Sequence, residues 1–130
     1  MGGPYLVDTN VFIDLFKGRL SKEAGLWAER LLNTEVYYIS SINRIELLGY
    51  DSDEKESEYL ELVVNQAIIL EISREVEDAT IALRRTRKIK LPDAIVAATA
   101  KVHRLVILTR NTKDFDGIEG VMTKDPHDVV

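Results

Sequence analysis

Four carboxylates carry the most chemical interest in this sequence: Asp8, Glu46, Asp93 and Asp114. Carboxylates brought close together repel, so either some bind protons or a cation neutralises them. The chain has no cysteine and only two histidines, His103 and His127. Thiolate and His-rich metal sites are thereby excluded, and neither histidine is expected to be a ligand. An oxygen-only donor set selects hard cations such as Mg²⁺, Mn²⁺ or Ca²⁺. Mg²⁺ suits best, because it keeps several waters and takes only a few carboxylates. Beside a phosphodiester, such ions activate water, polarise the phosphoryl oxygen and stabilise the leaving oxygen, so no Ser, His or Cys nucleophile is needed.

The elements around these acids explain how they would meet. Tyr5-Leu6-Val7, Val36-Tyr37-Tyr38-Ile39, Ala67-Ile68-Ile69-Leu70 and Leu105-Val106-Ile107-Leu108 are short apolar runs without polar alternation. They are expected to be strands covered on both faces. Helices are expected over Ser21 to Leu32, Ile42 to Gly49 behind Ser40-Ser41, Asp53 to Val64, and Ser73 to about Lys88. A last helix starts at Leu91-Pro92, runs to about His103 and is apolar almost all round, hence deeply buried. Strands alternating with helices predict an α/β fold with a mostly parallel sheet of four to five strands between two helical layers, where sites form beyond the carboxyl ends of the strands.

Asp8 follows the first strand, and Asn111 and Asp114 follow Leu105–Leu108. Glu46 lies on the helix after the second strand, on a stripe with Ile42 and Gly49. Asp93 opens a helix that runs almost directly into the strand at Leu105. A parallel strand begins at the amino edge, so that helix ends there and Asp93 lies at the carboxyl edge. Acids spread from residue 8 to residue 114 thus converge on one edge, without depending on one another in sequence.

The 130 residues fit one domain, 1–130. No apolar run is long enough to span a bilayer and Met1 to Tyr5 lacks signal-peptide features, so no membrane association and a cytoplasmic location are expected. The formal net charge of −5 argues against a protein that packages long duplexes, but metal-holding carboxylates count as negative until the metal arrives. Arg84, Arg85, Arg87, Lys88 and Lys90 form a basic run just before Asp93. They read equally as a grip on an RNA backbone or as cations favoured at a helix C-terminus. Arg110 is a candidate phosphate contact or an ion-pair partner. Asp14 is expected to be paired or solvated.

Leu6-Val7-Asp8-Thr9-Asn10-Val11-Phe12-Ile13-Asp14, Ser40-Ser41-Ile42-Asn43-Arg44-Ile45-Glu46-Leu47-Leu48-Gly49, Leu91-Pro92-Asp93-Ala94-Ile95-Val96-Ala97-Ala98-Thr99-Ala100 and Leu108-Thr109-Arg110-Asn111-Thr112-Lys113-Asp114-Phe115 resemble, in order, the four motifs of PIN-domain proteins. Within that group the chain most resembles the VapC-type ribonuclease toxins. The resemblance implies an α/β/α sandwich, Mg²⁺- or Mn²⁺-dependent endoribonuclease activity on RNA, a small antitoxin partner and a homodimer. It places Asp8, Glu46, Asp93 and Asp114 at acidic metal-site and catalytic positions. Thr9, Asn10, Thr109 and Asn111 match polar positions that orient ligands or water. Some members carry an acid where this chain has Asn111. His103-Arg104 replaces a small turn with glycine, a structural difference.

Each acid alone has an ordinary explanation: Asp8 as a helix cap, Asp93 as a complement to a helix dipole, Asp114 as part of a turn, Glu46 as a paired core acid. As a set they favour function. Asp8, Glu46 and Asp93 form the firm core, with Asp114 and Asn111 as a polar, partly acidic fourth corner. The alternatives are a PIN nuclease that processes RNA without being a toxin, and a binding module of the same fold without activity. Haloacid-dehalogenase-type phosphatases want a second acid where Asn10 stands, and receiver domains want an acidic pair before the first helix; neither pattern is present.

Overall fold

The computed structural model describes residues 4–129. In chain order the elements are β1 (Tyr5–Val7), α1 (Thr9–Phe16), α2 (Lys22–Thr34), β2 (Tyr38–Ser40), α3 (Ser41–Leu48), α4 (Glu54–Gln66), β3 (Ile68–Leu70), α5 (Arg74–Thr86), α6 (Leu91–His103), β4 (Val106–Leu108) and β5 (Met122–Lys124). Short 3-10 turns cover Thr112–Phe115 and Pro126–Asp128. The strands form one parallel sheet in the order β3-β2-β1-β4-β5.

Alternation along the strands builds two cores. Tyr5 and Val7 of β1, Ile39 of β2 and Leu108 of β4 face one side, with Tyr37 just before β2, where Val11, Phe12, Leu31, Leu47, Leu60 and Val63 cover them. Leu6 and Ile107 face the other side, against Val96, Ala97 and Ala100 of α6 and Phe115. This is the three-layer arrangement expected from the sequence. Helix α6 is buried continuously from Ala94 to Ala100. It needs that all-round apolar surface because the sheet lies on one side and α5 packs on another.

Three expectations shift. The strand expected from Val36 starts two residues later, with Val36 exposed. Ile68 and Ile69 of β3 are exposed rather than covered on both faces, because β3 is an edge of the sheet. Helix α5 ends at Thr86 instead of near Lys88, because Arg87 turns extended at φ −155°, ψ 158°.

Ser21, Ser40, Asp53 and Ser73 each accept a backbone N–H at the start of a helix. At the far end of α6, Arg104 takes the left-handed conformation at φ 57°, and the Leu105 N–H returns to the Ala100 carbonyl at 2.9 Å. That is the glycine position of a helix C-terminus, occupied here by a residue with a Cβ. Arg104→Gly is therefore expected to raise stability by about 1 kcal/mol, read as a shift of the urea midpoint at unchanged slope.

Candidate active site

The chain leaves β1 toward β2 and β3 on one side, then returns to place β4 on the other side of β1. Between β1 and β4 the strand order reverses, the usual ligand crevice of an open parallel sheet. Asp8 follows β1 there and Thr109 follows β4. The Asp8 N–H bonds the Leu108 carbonyl at 2.9 Å, which locks the two strand ends together.

Asp8 is extended and caps α1. Only 8% of it is exposed. Its Oδ1 accepts the Thr9 N–H at 3.0 Å and Asn43 Nδ2 at 3.3 Å. Its Oδ2 accepts the Thr109 hydroxyl at 2.9 Å and Asn10 Nδ2 at 3.2 Å. Burial nevertheless dominates and pushes the Asp8 carboxyl up to about 6. The bonds from Thr109 and Thr9 oppose that rise, and the nearby charges of Asp93 and Glu46 add to it.

Glu46 reaches in from α3, its Oε1 accepting the Thr9 hydroxyl at 2.7 Å. Asp93 sits partly buried in the first turn of α6. Burial raises its carboxyl above the ordinary range, the charges of Asp114 and Glu46 raise it further, and Lys90 draws it back. Asp114 is exposed in the 3-10 turn after β4. The topology thus brings all four expected acids to one edge, and none of them is in a salt bridge among the described residues.

The polar positions are tied into the same web. The Thr109 hydroxyl accepts Asn10 Nδ2 at 3.2 Å and the Asn111 N–H at 3.1 Å. Asn10 Oδ1 accepts the Arg110 N–H at 3.1 Å. Asn111 itself is exposed. Of the basic residues, Arg110 Nη1 pairs with Asp14 at 3.1 Å, and Arg87 Nη1 donates to the Asp116 carbonyl at 2.8 Å. Arg84 and Arg85 are exposed in the last turn of α5, while Lys88 and Lys90 line a cleft with Asp93 and Asp114.

Asn43 is the residue that sequence reasoning missed. It is fully buried. Its Oδ1 accepts the Ser40 N–H at 2.9 Å, and its Nδ2 donates to Asp8 and, at 3.2 Å, to the Thr9 hydroxyl. One amide thereby caps α3 and orients two groups of the acid cluster. The signal was present as a Ser-x-x-Asn spacing, a variant of the capping box. Asn43→Ala leaves the buried Ser40 N–H unpaired and is expected to destabilise the protein by roughly 1–3 kcal/mol, measured by chemical unfolding.

Among the described residues no three acidic or imidazole side chains are grouped closely enough to hold an ion by themselves. The donors fit Mg²⁺ or Mn²⁺ in the looser way such ions accept, with few carboxylates and several waters. The observation behind that fit is the buried, upward-shifted Asp8 beside acids that lack a salt bridge.

The PIN domain family model matches residues 5–121. The chain belongs to the PIN domain family. This PIN domain is 27% identical to the tRNA(fMet)-specific endonuclease VapC of Shigella flexneri over 93% of its length and 96% of that protein's. It is 38% identical to a chain of a toxin–antitoxin complex from Klebsiella pneumoniae, covering 92% of this chain and 96% of that one, with a TM-score of 0.73. A VapBC-1 structure from nontypeable Haemophilus influenzae is 25% identical, with 95% and 98% covered and a TM-score of 0.75. Among the described residues of this PIN domain, no helix is long and apolar enough to cross a membrane.

Proposed function

We propose that this PIN domain is a Mg²⁺- or Mn²⁺-dependent endoribonuclease and the toxin of a VapBC-type pair, with a small antitoxin as partner and a homodimer as its assembly. The observation that carries the reading is the buried Asp8 carboxylate in the crevice between β1 and β4, held by Thr9, Asn43 and Thr109, with Glu46 on the same Thr9 hydroxyl and Asp93 near enough for its charge to bear on Asp8. The likeness to a tRNA endonuclease and to a toxin–antitoxin complex supports RNA as substrate and an antitoxin as partner.

Asp8, Glu46 and Asp93 would hold the metal, with Asp114 at the margin and Thr9, Asn10, Thr109 and Asn111 as the polar surround. A bound divalent ion supplies Lewis acidity and a more acidic water next to the phosphodiester. The protein's own part is orientation. Thr109, Thr9, Asn10 and Asn43 fix the Asp8 carboxylate in one pose, so little reorganisation is needed when substrate arrives. Thr9 sets Glu46 in the same way. Hydrolysis adds water across one P–O bond and leaves both RNA fragments free to depart.

Purified protein is expected to cut RNA in Mg²⁺ or Mn²⁺, to stop in EDTA and to resume when metal is restored in excess. Persistent cleavage in EDTA would sink the metal-dependent reading. Induced expression is expected to arrest growth, with Asp93→Asn relieving it; equal arrest by that variant would remove the toxin reading.

A further inference from the structure

We infer that the cleft beside Asp93 and Asp114 is a binding subsite for the phosphate backbone of single-stranded RNA, built from Lys88, Lys90 and Lys113. The inference rests on the ribonuclease reading for its ligand, and on geometry for its residues. The cleft has a volume of about 360 Å³, and Arg87, Lys88, Lys90 and Lys113 line it together with the two acids. It therefore opens directly onto the acid edge, where a chain leaving the reacting phosphate would pass.

The cations come from two separate pieces of chain. Lys88 and Lys90 lie between α5 and α6, and Lys113 lies in the 3-10 turn after β4. Arg87 joins the two pieces, because its Nη1 donates to the Asp116 carbonyl just beyond that turn. Its role is positioning: it sets the two walls of the cleft against each other.

Helix electrostatics divides the basic run. Arg84 and Arg85 occupy the last turn of α5, where cations are favoured by the helix dipole. Lys88 and Lys90 lie beyond that end. Lys90 is the N-cap residue of α6, with no side-chain cap hydrogen bond. A cation there faces the positive end of a helix and is disfavoured by it. Neither helix explains its presence. None of Arg87, Lys88, Lys90 and Lys113 is in a salt bridge among the described residues. Lys88, Lys90 and Lys113 are exposed, and although Lys90 lies near enough to Asp93 to act on its charge, a row of three cations along the rim of the site complements a polyanion.

The test reads binding in EDTA, where nothing is cut, by anisotropy of a labelled single-stranded RNA of about twelve nucleotides. At about 50 mM salt the Lys88→Gln/Lys90→Gln/Lys113→Gln variant is expected to bind at least about tenfold more weakly than wild type. Its plot of log affinity against log salt should be shallower by about 2, since each lost contact to a single strand removes about 0.7. The Lys88→Gln/Lys90→Gln pair should lose far more than the Arg84→Gln/Arg85→Gln pair, which removes the same charge. Equal losses from the two pairs, or an unchanged slope in the triple variant, would overturn the subsite. A wild type that cuts no RNA in Mg²⁺ or Mn²⁺ but loses binding on the triple substitution would overturn the ribonuclease reading and leave the cleft standing.

Discussion

Asp8→Asn and Asp93→Asn should each lower cleavage at least about a thousandfold, with the fold unchanged by circular dichroism. That loss corresponds to about 4 kcal/mol of barrier, within what a metal-assisted site contributes. The geometry explains why so small a change is enough. At position 8 an amide oxygen still accepts the Thr9 N–H and Asn43 Nδ2. The amide NH₂ gives up the bonds from the Thr109 hydroxyl and Asn10 Nδ2 but keeps the shape of the carboxylate, so the fold survives. The negative charge does not, and the cluster then has too little charge to hold a divalent ion. Asp93 is less buried; its charge acts on Asp8, and it is itself acted on by the charges of Asp114 and Glu46. Cleavage at the wild-type rate by either variant would show that the acids are structural.

The same buried carboxylate should make the protein less stable as the solution is made less acidic. Asp8 is raised from 3.8 to about 6 in the folded protein. In the interval between those values the native state binds more protons than the unfolded chain, so stability falls as pH rises. The contribution is fully present below about pH 3.8 and lost once pH passes about 6. The shift corresponds to at most about 3 kcal/mol. Without added metal, Asp8→Asn should therefore match wild type near pH 4 and exceed it near pH 8 by roughly 5–10 °C in Tm. Excess Mg²⁺ or Mn²⁺ at pH 8 should raise the wild-type Tm and leave the variant unmoved, since only binding to the native state stabilises. A variant with the wild-type pH profile would mean that Asp8 carries no such strain. The experiment thus separates charge from shape at one atom, because a site that was merely packed would show neither the crossover nor the metal response.

Much of this arrangement was legible in the chain because burial leaves a plain mark. The runs that became β1 and β4 are apolar on both faces, since α-helices cover both, and α6 is apolar all round because it is enclosed. Once those elements were placed, the direction of a parallel sheet put Asp8, Asp93 and Asp114 on one edge. Edges carry less information. The strand Met122-Thr123-Lys124 sits at the rim with Met122 and Lys124 exposed, so it has no apolar run to announce it. Ile68 and Ile69 looked like core and lie on the other rim.

The polar web was harder still. Whether Asn43 supports Asp8 depends on a fully buried side chain choosing partners in another element, which periodicity does not encode. An ion pair for Arg110 was one of two open readings, and its partner, Asp14 on α1, is 96 residues away in sequence and so was not legible. Lys113 escaped for the same reason. Its neighbours Lys88 and Lys90 belong to a stretch well before it in sequence, and only the fold shows that they share a cleft.

The bond between the Thr109 hydroxyl and Asp8 joins the first strand of the sheet to the fourth. A chain still emerging from the ribosome holds Asp8, Thr9 and Asn43 long before residue 109 has been added. Until β4 docks beside β1, the carboxylate lacks its shortest hydrogen bond and the crevice has only one wall. On the ribonuclease reading proposed above, a nascent chain would therefore pass the RNA-rich surface where it is made before its cutting site is complete.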